Sequence, residues 1–181
     1  MKNEVRLIGG LWRRSKLPVI DRPGLRPTPD RVRETLFNWL GQDLSGWRVL
    51  DAFAGSGALG FEAASRGAAE VLLIEQDSAT VASLRQSQQR LRAEGLRIER
   101  ADAMGWMARC AKARFELVLI DPPFDSSLAE AAATAASPLV VEGGFVYVES
   151  GTELAEAPAG MVLHRSLRAG AVHAQLFVRP G

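Results

Sequence analysis

The sequence predicts an α/β protein: a mostly parallel seven-stranded sheet closed by an antiparallel C-terminal hairpin, preceded by a small N-terminal β-ribbon and a helix. Three observations carry this. From Trp47 onward strand-like and helix-like segments alternate, as crossover units of a parallel sheet do. The runs Val71-Leu72-Leu73-Ile74 and Leu117-Val118-Leu119-Ile120 are continuously apolar, which suits strands covered on both faces. At the end, segments 161–167 and 172–178 are joined by Arg168-Ala169-Gly170-Ala171, a hairpin signal.

The elements follow in order. Val5-Arg6-Leu7-Ile8 and Leu17-Pro18-Val19-Ile20 alternate around Gly9-Gly10, which predicts a two-stranded ribbon. Arg22-Pro23-Gly24-Leu25-Arg26-Pro27 is irregular, since its prolines and glycine break regular elements. A helix is predicted next, with Thr28 as N-cap and Pro29 at its first position. Val32, Thr35, Leu36, Trp39 and Leu40 form its apolar face, and Gly41 stops it. Strands are predicted at 48–53, 71–75, 96–100, 117–121 and 145–149. Between the second and third, Ser78 caps a helix with Val81, Leu84 and Leu91 on one face, ended by Gly95. The alanine-rich stretch 129–136 reads as another helix.

Composition narrows the class. The chain has 181 residues, 47% apolar and 24% charged, too apolar for disorder. No apolar run approaches the roughly 20 residues of a membrane span. Arg6, Arg13, Arg14 and Lys16 interrupt the first stretch, so no signal peptide is expected. One cysteine, Cys110, and two histidines, His164 and His173, exclude a disulfide framework and point away from a His/Cys metal site, and a reducing cytoplasm is the expectation. The net charge of +1 hides an asymmetry: residues 1–36 hold nine basic and four acidic side chains, the rest thirteen and seventeen. A basic N-terminal segment on a mildly acidic body suggests a polyanionic partner, or else a merely solvated basic face.

The chemistry concentrates at strand ends. Gly55, Gly57 and Gly60 match G-x-G-x-x-G after the first sheet strand, and Glu75 ends the next strand 20 residues beyond Gly55, where an acid grips a ribose hydroxyl. Alone this suggests a dinucleotide. Asp51 argues otherwise, because a carboxylate beside the loop repels pyrophosphate. It attracts instead a ligand with cationic groups and no phosphate, such as S-adenosylmethionine; its other reading is a helix cap. Asp102, after the third strand, is placed to accept from an adenine amino group or to cap the following helix. Phe53 and Ala103, beside these two acids, complete the expected cofactor contacts.

The turn Asp121-Pro122-Pro123-Phe124 ends the fourth strand, at the switch point where such sheets bind ligands. Its prolines make it stiff and leave carbonyls free to accept. The exocyclic amine of a nucleobase is a poor nucleophile. The Asp121 carboxylate and Pro122 carbonyl can take its two hydrogens and aim its lone pair, while Phe124 stacks on the base. Such a site works by positioning and by stabilising developing positive charge, on a base that is flipped out or unpaired.

Taken with Arg6-Leu7-Ile8-Gly9-Gly10-Leu11-Trp12-Arg13-Arg14, Leu25-Arg26-Pro27-Thr28-Pro29-Asp30-Arg31-Val32-Arg33-Glu34 and Glu62-Ala63-Ala64-Ser65-Arg66-Gly67, the whole chain resembles the bacterial RsmD family, guanine-N2 methyltransferases of small-subunit (16S) ribosomal RNA. The resemblance implies a Rossmann-like, S-adenosylmethionine-dependent, cytoplasmic monomer acting on one guanine of an assembled small-subunit (30S) intermediate. It implies an RNA-binding ribbon at 1–27 and a methyltransferase domain at 28–181, with Arg26 and Thr28 closing over the methionine end of the cofactor. Arg6, Trp12, Arg13, Arg14, Lys16, Arg31 and Arg33 are the expected RNA contacts, Trp12 having packing within its ribbon as its other reading. No metal is expected. One departure is Ala174, where an aromatic is common in the family. Rival functions are an adenine-N6 methyltransferase, which uses the same turn, an NAD-dependent oxidoreductase, and a non-catalytic RNA-binding factor.

Overall fold

The computed structural model describes residues 3–21, 28–123 and 127–181. Strands β1 (Glu4–Arg6) and β2 (Lys16–Pro18) pair antiparallel with Val5 opposite Leu17. These two side chains point inward and are buried, whereas Glu4, Arg6, Lys16 and Pro18 face outward. Helix α1 (Asp30–Trp39) follows. Then come β3 (Arg48–Asp51), α2 (Ala58–Ser65), β4 (Glu70–Glu75), α3 (Ser78–Leu91), β5 (Leu96–Arg100), α4 (Ala103–Arg109), β6 (Phe115–Ile120) and α5 (Leu128–Ala136). The chain ends with β7 (Val140–Ser150), β8 (Val162–Ala169) and β9 (Val172–Val178).

The main sheet has the order β5-β4-β3-β6-β7-β9-β8. Its first five strands run parallel, and β9 is antiparallel to both its neighbours. The seven strands, parallel core and closing hairpin predicted from the sequence are all present. The continuous apolar runs have their expected cause. Alternate residues feed two cores, Val71, Leu73, Leu117 and Leu119 on the face shared with α1 and α2, and Leu72, Ile74, Val118 and Ile120 on the α5 face. No helix among the described residues is long and apolar enough to cross a membrane.

Three local expectations shift. Thr28 does not cap α1: Pro29 occupies the N-cap position, and the threonine hydroxyl turns into the site described below. The cap of α3 is Asp77 rather than Ser78, its carboxylate accepting from the Thr80 amide at 2.9 Å. That helix ends at left-handed Arg92, before Gly95.

The ribbon is part of the main core, with Leu7 and Leu17 fully buried among α1 and α2 side chains. Glu62 and Ser65, one turn apart on α2, seize its turn. Glu62 accepts from the amides of Ile8 (2.8 Å) and Gly9 (2.9 Å). Ser65 Oγ donates to Gly9 O and accepts from the Trp12 amide. A Cβ on Gly10 would stand 1.9 Å from Ser65 O, so only glycine fits, and its φ of +77° suits the same choice. Arg33 is a correction: it was expected to face RNA, but its side chain is fully buried. It pairs with Glu62 and Asp30 and donates to the carbonyls of Thr28 and Arg6. An arginine so placed cannot reach a phosphate. Trp12 is half-buried, its ring edge-to-face with Phe61 of α2 at 6.4 Å, so it packs against that helix rather than within its own ribbon.

Candidate functional site

The carboxyl ends of β3, β4, β6 and β7 open into one cavity of about 770 Å³. The chain reverses its winding between β3 and β6, and adjacent crossovers lead to opposite sides there, leaving a crevice.

On one side of the crevice lies the glycine loop. Asp51, the last residue of β3, is buried, and its Oδ2 accepts from the Gly60 amide of α2 at 3.0 Å. Its Oδ1 is buried with no hydrogen-bond partner among the described residues. Burial, reinforced by the nearby charge of Glu75, pushes its carboxyl up to about 7. An orphaned buried oxygen of this kind is an acceptor lacking its donor, which a ligand ammonium would supply. Glu75 ends β4 and braces the loop, accepting from the Gly55 amide at 3.2 Å and the Asp77 amide at 2.7 Å. Gly55 and Gly57 both have positive φ. Gly57 does not line the cavity: it starts α2, and a Cβ there would meet Phe61 and Leu84 at 2.7 and 2.8 Å. It shapes the loop. Asp102 caps α4, its Oδ2 accepting from the Gly105 amide at 2.9 Å, and it lines the cavity with Ala103.

On the other side stands the Asp-Pro-Pro turn. Asp121, Pro122 and Pro123 line the cavity, as do Thr28 and Phe53; Phe124 and Arg26 lie outside the described residues. The structure adds a residue that the sequence reading missed. Glu149, next to last in β7, is buried beside Asp121. Its Oε2 accepts from Thr28 Oγ1 at 2.8 Å and its Oε1 from the Tyr147 hydroxyl at 2.7 Å. Thr28 Oγ1 also lies 3.1 Å from Asp121 Oδ2. Burial pushes the Asp121 carboxyl well above the usual range, with the charges of Glu149 and Asp51 adding to it and the Thr28 hydroxyl opposing. Tyr147 is pushed up by burial and then by Glu149. In the sequence Glu149 shows only as an acid closing a predicted strand; that this strand lies beside the one leading to Asp121 comes from the fold.

The cavity is strongly acidic. Six carboxylates line it (Asp51, Glu75, Asp77, Asp102, Asp121 and Glu149), against one cationic side chain, Arg100, among the described residues. A pyrophosphate would be repelled, which removes the dinucleotide reading, whereas a ligand with sulfonium and ammonium charges is attracted. The residues therefore fit S-adenosylmethionine. Around the mouth, Ala171 and Val172 bring in the tip of the β8–β9 hairpin, while Ala174 is fully buried against the sheet and turned away from any stacking role. Arg6, Arg13, Arg14, Lys16 and Arg31 are exposed as expected of phosphate contacts. Among the described residues no cluster of His, Cys, Asp or Glu has the makings of a metal site.

Comparison with known proteins agrees. The Escherichia coli (strain K12) protein called ribosomal RNA small subunit methyltransferase D is 44% identical over 97% of this chain and 90% of its own. A solved structure of Escherichia coli yhhF superposes with a TM-score of 0.87 at 42% identity, covering 99% of each chain. An RNA methyltransferase from Salinibacter ruber, solved with S-adenosyl-L-homocysteine, shares the fold at a TM-score of 0.66 and 16% identity, over 86% of this chain and 94% of that one. Residues 5–178 match the family model described as conserved hypothetical protein 95, and the chain belongs to that family, the RsmD family of S-adenosylmethionine-dependent methyltransferases.

Proposed function

We propose that this protein methylates the exocyclic N2 amine of a guanine in small-subunit ribosomal RNA, using S-adenosylmethionine. The observation that carries the reaction class is the Asp121-Pro122-Pro123 turn facing an acidic cavity that continues to the glycine loop. Asp51 and Glu75 hold the cofactor by its ammonium and ribose, and Asp102 and Ala103 flank its adenine. When bound, S-adenosylmethionine supplies an electrophilic methyl group, its C–S electron pair staying on sulfur. The Asp121 carboxylate and Pro122 carbonyl accept the amine hydrogens and aim the lone pair, and Phe124 stacks on the base. The exposed cations of the ribbon hold RNA phosphates, which position the nucleic acid without reading it. The ribosomal target is supported by the names of relatives that match over nearly the whole chain. On this reading the protein acts as a monomer in the bacterial cytoplasm, on an assembled small-subunit particle or a late intermediate, with residues 1–27 as its RNA-binding extension.

The test is nucleoside mass spectrometry of small-subunit rRNA from a strain lacking the protein. Loss of N2-methylguanosine at one site, restored by the wild-type gene and not by Asp121→Ala, is expected. Unchanged methylguanosine with loss of N6-methyladenine would transfer the assignment to the adenine enzyme.

A further inference from the structure

Asp121 and Glu149 share one hydroxyl. Thr28 Oγ1 is 2.8 Å from Glu149 Oε2 and 3.1 Å from Asp121 Oδ2. A hydroxyl carries a single proton, so it donates to one carboxylate and presents a lone pair to the other. With both acids ionised, one contact is repulsive. A proton on either acid completes the chain, the acid O–H donating to Thr28 Oγ1 and the Thr28 O–H to the partner carboxylate. The surroundings favour such sharing. Asp51 faces the pair from β3, with Glu75 beyond it on β4, and Tyr147 meets Glu149 along β7. The one cationic lining residue among those described, Arg100, is on β5, where its Nε donates to Gln76 O.

We propose that Glu149, acting through Thr28, is a positioning residue that shares one proton with Asp121. The pair gives up this proton when the sulfonium cation of S-adenosylmethionine enters the cavity, and takes one back when an amine is methylated. The proposal rests on the cavity being the cofactor site read above. Charge and atoms balance: the C–S bond breaks with its pair on sulfur, the N–C bond forms, and one N–H proton passes to Asp121 and through Thr28 to Glu149. One positive charge enters as sulfonium and remains as a proton, so the cavity keeps the same net charge throughout. Asp121 is thereby ionised when it must accept from the amine.

Calorimetry without RNA tests this. S-adenosylmethionine and S-adenosylhomocysteine are titrated into the protein near pH 7 in buffers of different ionisation enthalpy. Both ligands carry the ammonium, and only the first the sulfonium, so the wild-type protein is expected to release about one proton more with the first. In Glu149→Gln, which keeps an acceptor for Tyr147 but removes a charge, Asp121 is already ionised and the difference collapses. The acid limb of single-turnover methyl transfer then moves to lower pH. Equal proton release for the two ligands in the wild type overturns the proposal, as does a full difference retained in a normally melting Glu149→Gln. A difference infrared spectrum of the wild type between the two ligands provides a reading that needs no variant: a protonated-carboxyl C=O band must be lost with the sulfonium. Proton release without rRNA methylation would leave this inference standing and remove the rRNA assignment; binding with equal release would do the reverse.

Discussion

Glu62 is a buried acid, as are Asp51 and Glu149 beside the half-buried Asp121, and the two places are surrounded in opposite ways. Glu62 receives two backbone amides and two guanidinium groups, from Arg33 and Arg66, and Arg66 also lies over the Phe37 ring at 4.8 Å. Every charge there has its complement inside the protein. At the strand ends the carboxylates outnumber their donors, and one oxygen of Asp51 has none among the described residues. The first group is closed and holds the fold together. Among the described residues the second is short of positive charge, and that shortage suits it to a cationic ligand.

The contrast is broken most severely by Glu62→Ala. It takes from Arg33 its buried counter-ion, leaving only the outer Asp30, and releases the ribbon turn, so a loss of about 3–5 kcal/mol is expected in urea unfolding, the scale for breaking a buried ion pair. The strand-end acids should respond with the other sign. Burial pushes the Asp51 carboxyl from its ordinary 3.8 up to about 7 in the folded protein, so the folded state binds the extra proton between those values and loses stability as pH rises through them. Asp51→Asn should therefore stabilise the ligand-free protein above pH 7, by on the order of 4 kcal/mol, and leave it unchanged below pH 4. Thermal melts at pH 4 and pH 8 measure both arms, and a variant less stable than wild type at pH 8 would refute the idea of a frustrated acid.

Function sharpens the same comparison. Asp121→Ala should lower methyl transfer by about a hundredfold or more, as loss of a preorganised polar group does, without lowering the melting temperature. Glu75→Ala should weaken S-adenosylmethionine binding by about 1.5–3 kcal/mol with RNA affinity near normal; equal cofactor affinity in the calorimeter would remove Glu75 from the ribose. The smallest effect is expected on the outside. Replacing Arg13, Arg14 and Lys16 by Ala should raise the apparent KM for the ribosomal substrate and flatten the salt dependence, by roughly 0.7–0.9 in log–log slope per lost phosphate contact. Salt curves superimposable on those of the wild type would leave the ribbon without an RNA role.

What the sequence could reveal follows the same division. The glycine loop, Asp51, Glu75 and the Asp-Pro-Pro turn are legible because each is a short-range pattern, a strand end beside a turn of known chemistry. Glu149 was hidden because its meaning comes from pairing with a strand 28 residues earlier, in the register that sets Ile120 opposite Val148. Arg33 misled for a related reason. Its charge reads as a surface residue until Glu62, 29 residues away, is folded against it. Thr28 has a sequence context typical of helix caps, and only the two acids beyond it draw its hydroxyl away from the helix.

Helix α2 touches both halves of this arrangement. Gly57, where the glycine loop ends, caps its start, and it finishes at Ser65, whose carbonyl accepts from the Leu11 amide at 2.7 Å and leaves no room for a Cβ on Gly10. Its eight residues make a rod about 12 Å long, so the spacing and bearing of the ribbon relative to the loop are those of two fittings on one shaft. Inserting a single residue within the rod would swing one fitting by about 100° and slide it by about 1.5 Å. Related chains can thus vary the composition of this helix, but their insertions and deletions should fall elsewhere, in exposed connections such as 155–157.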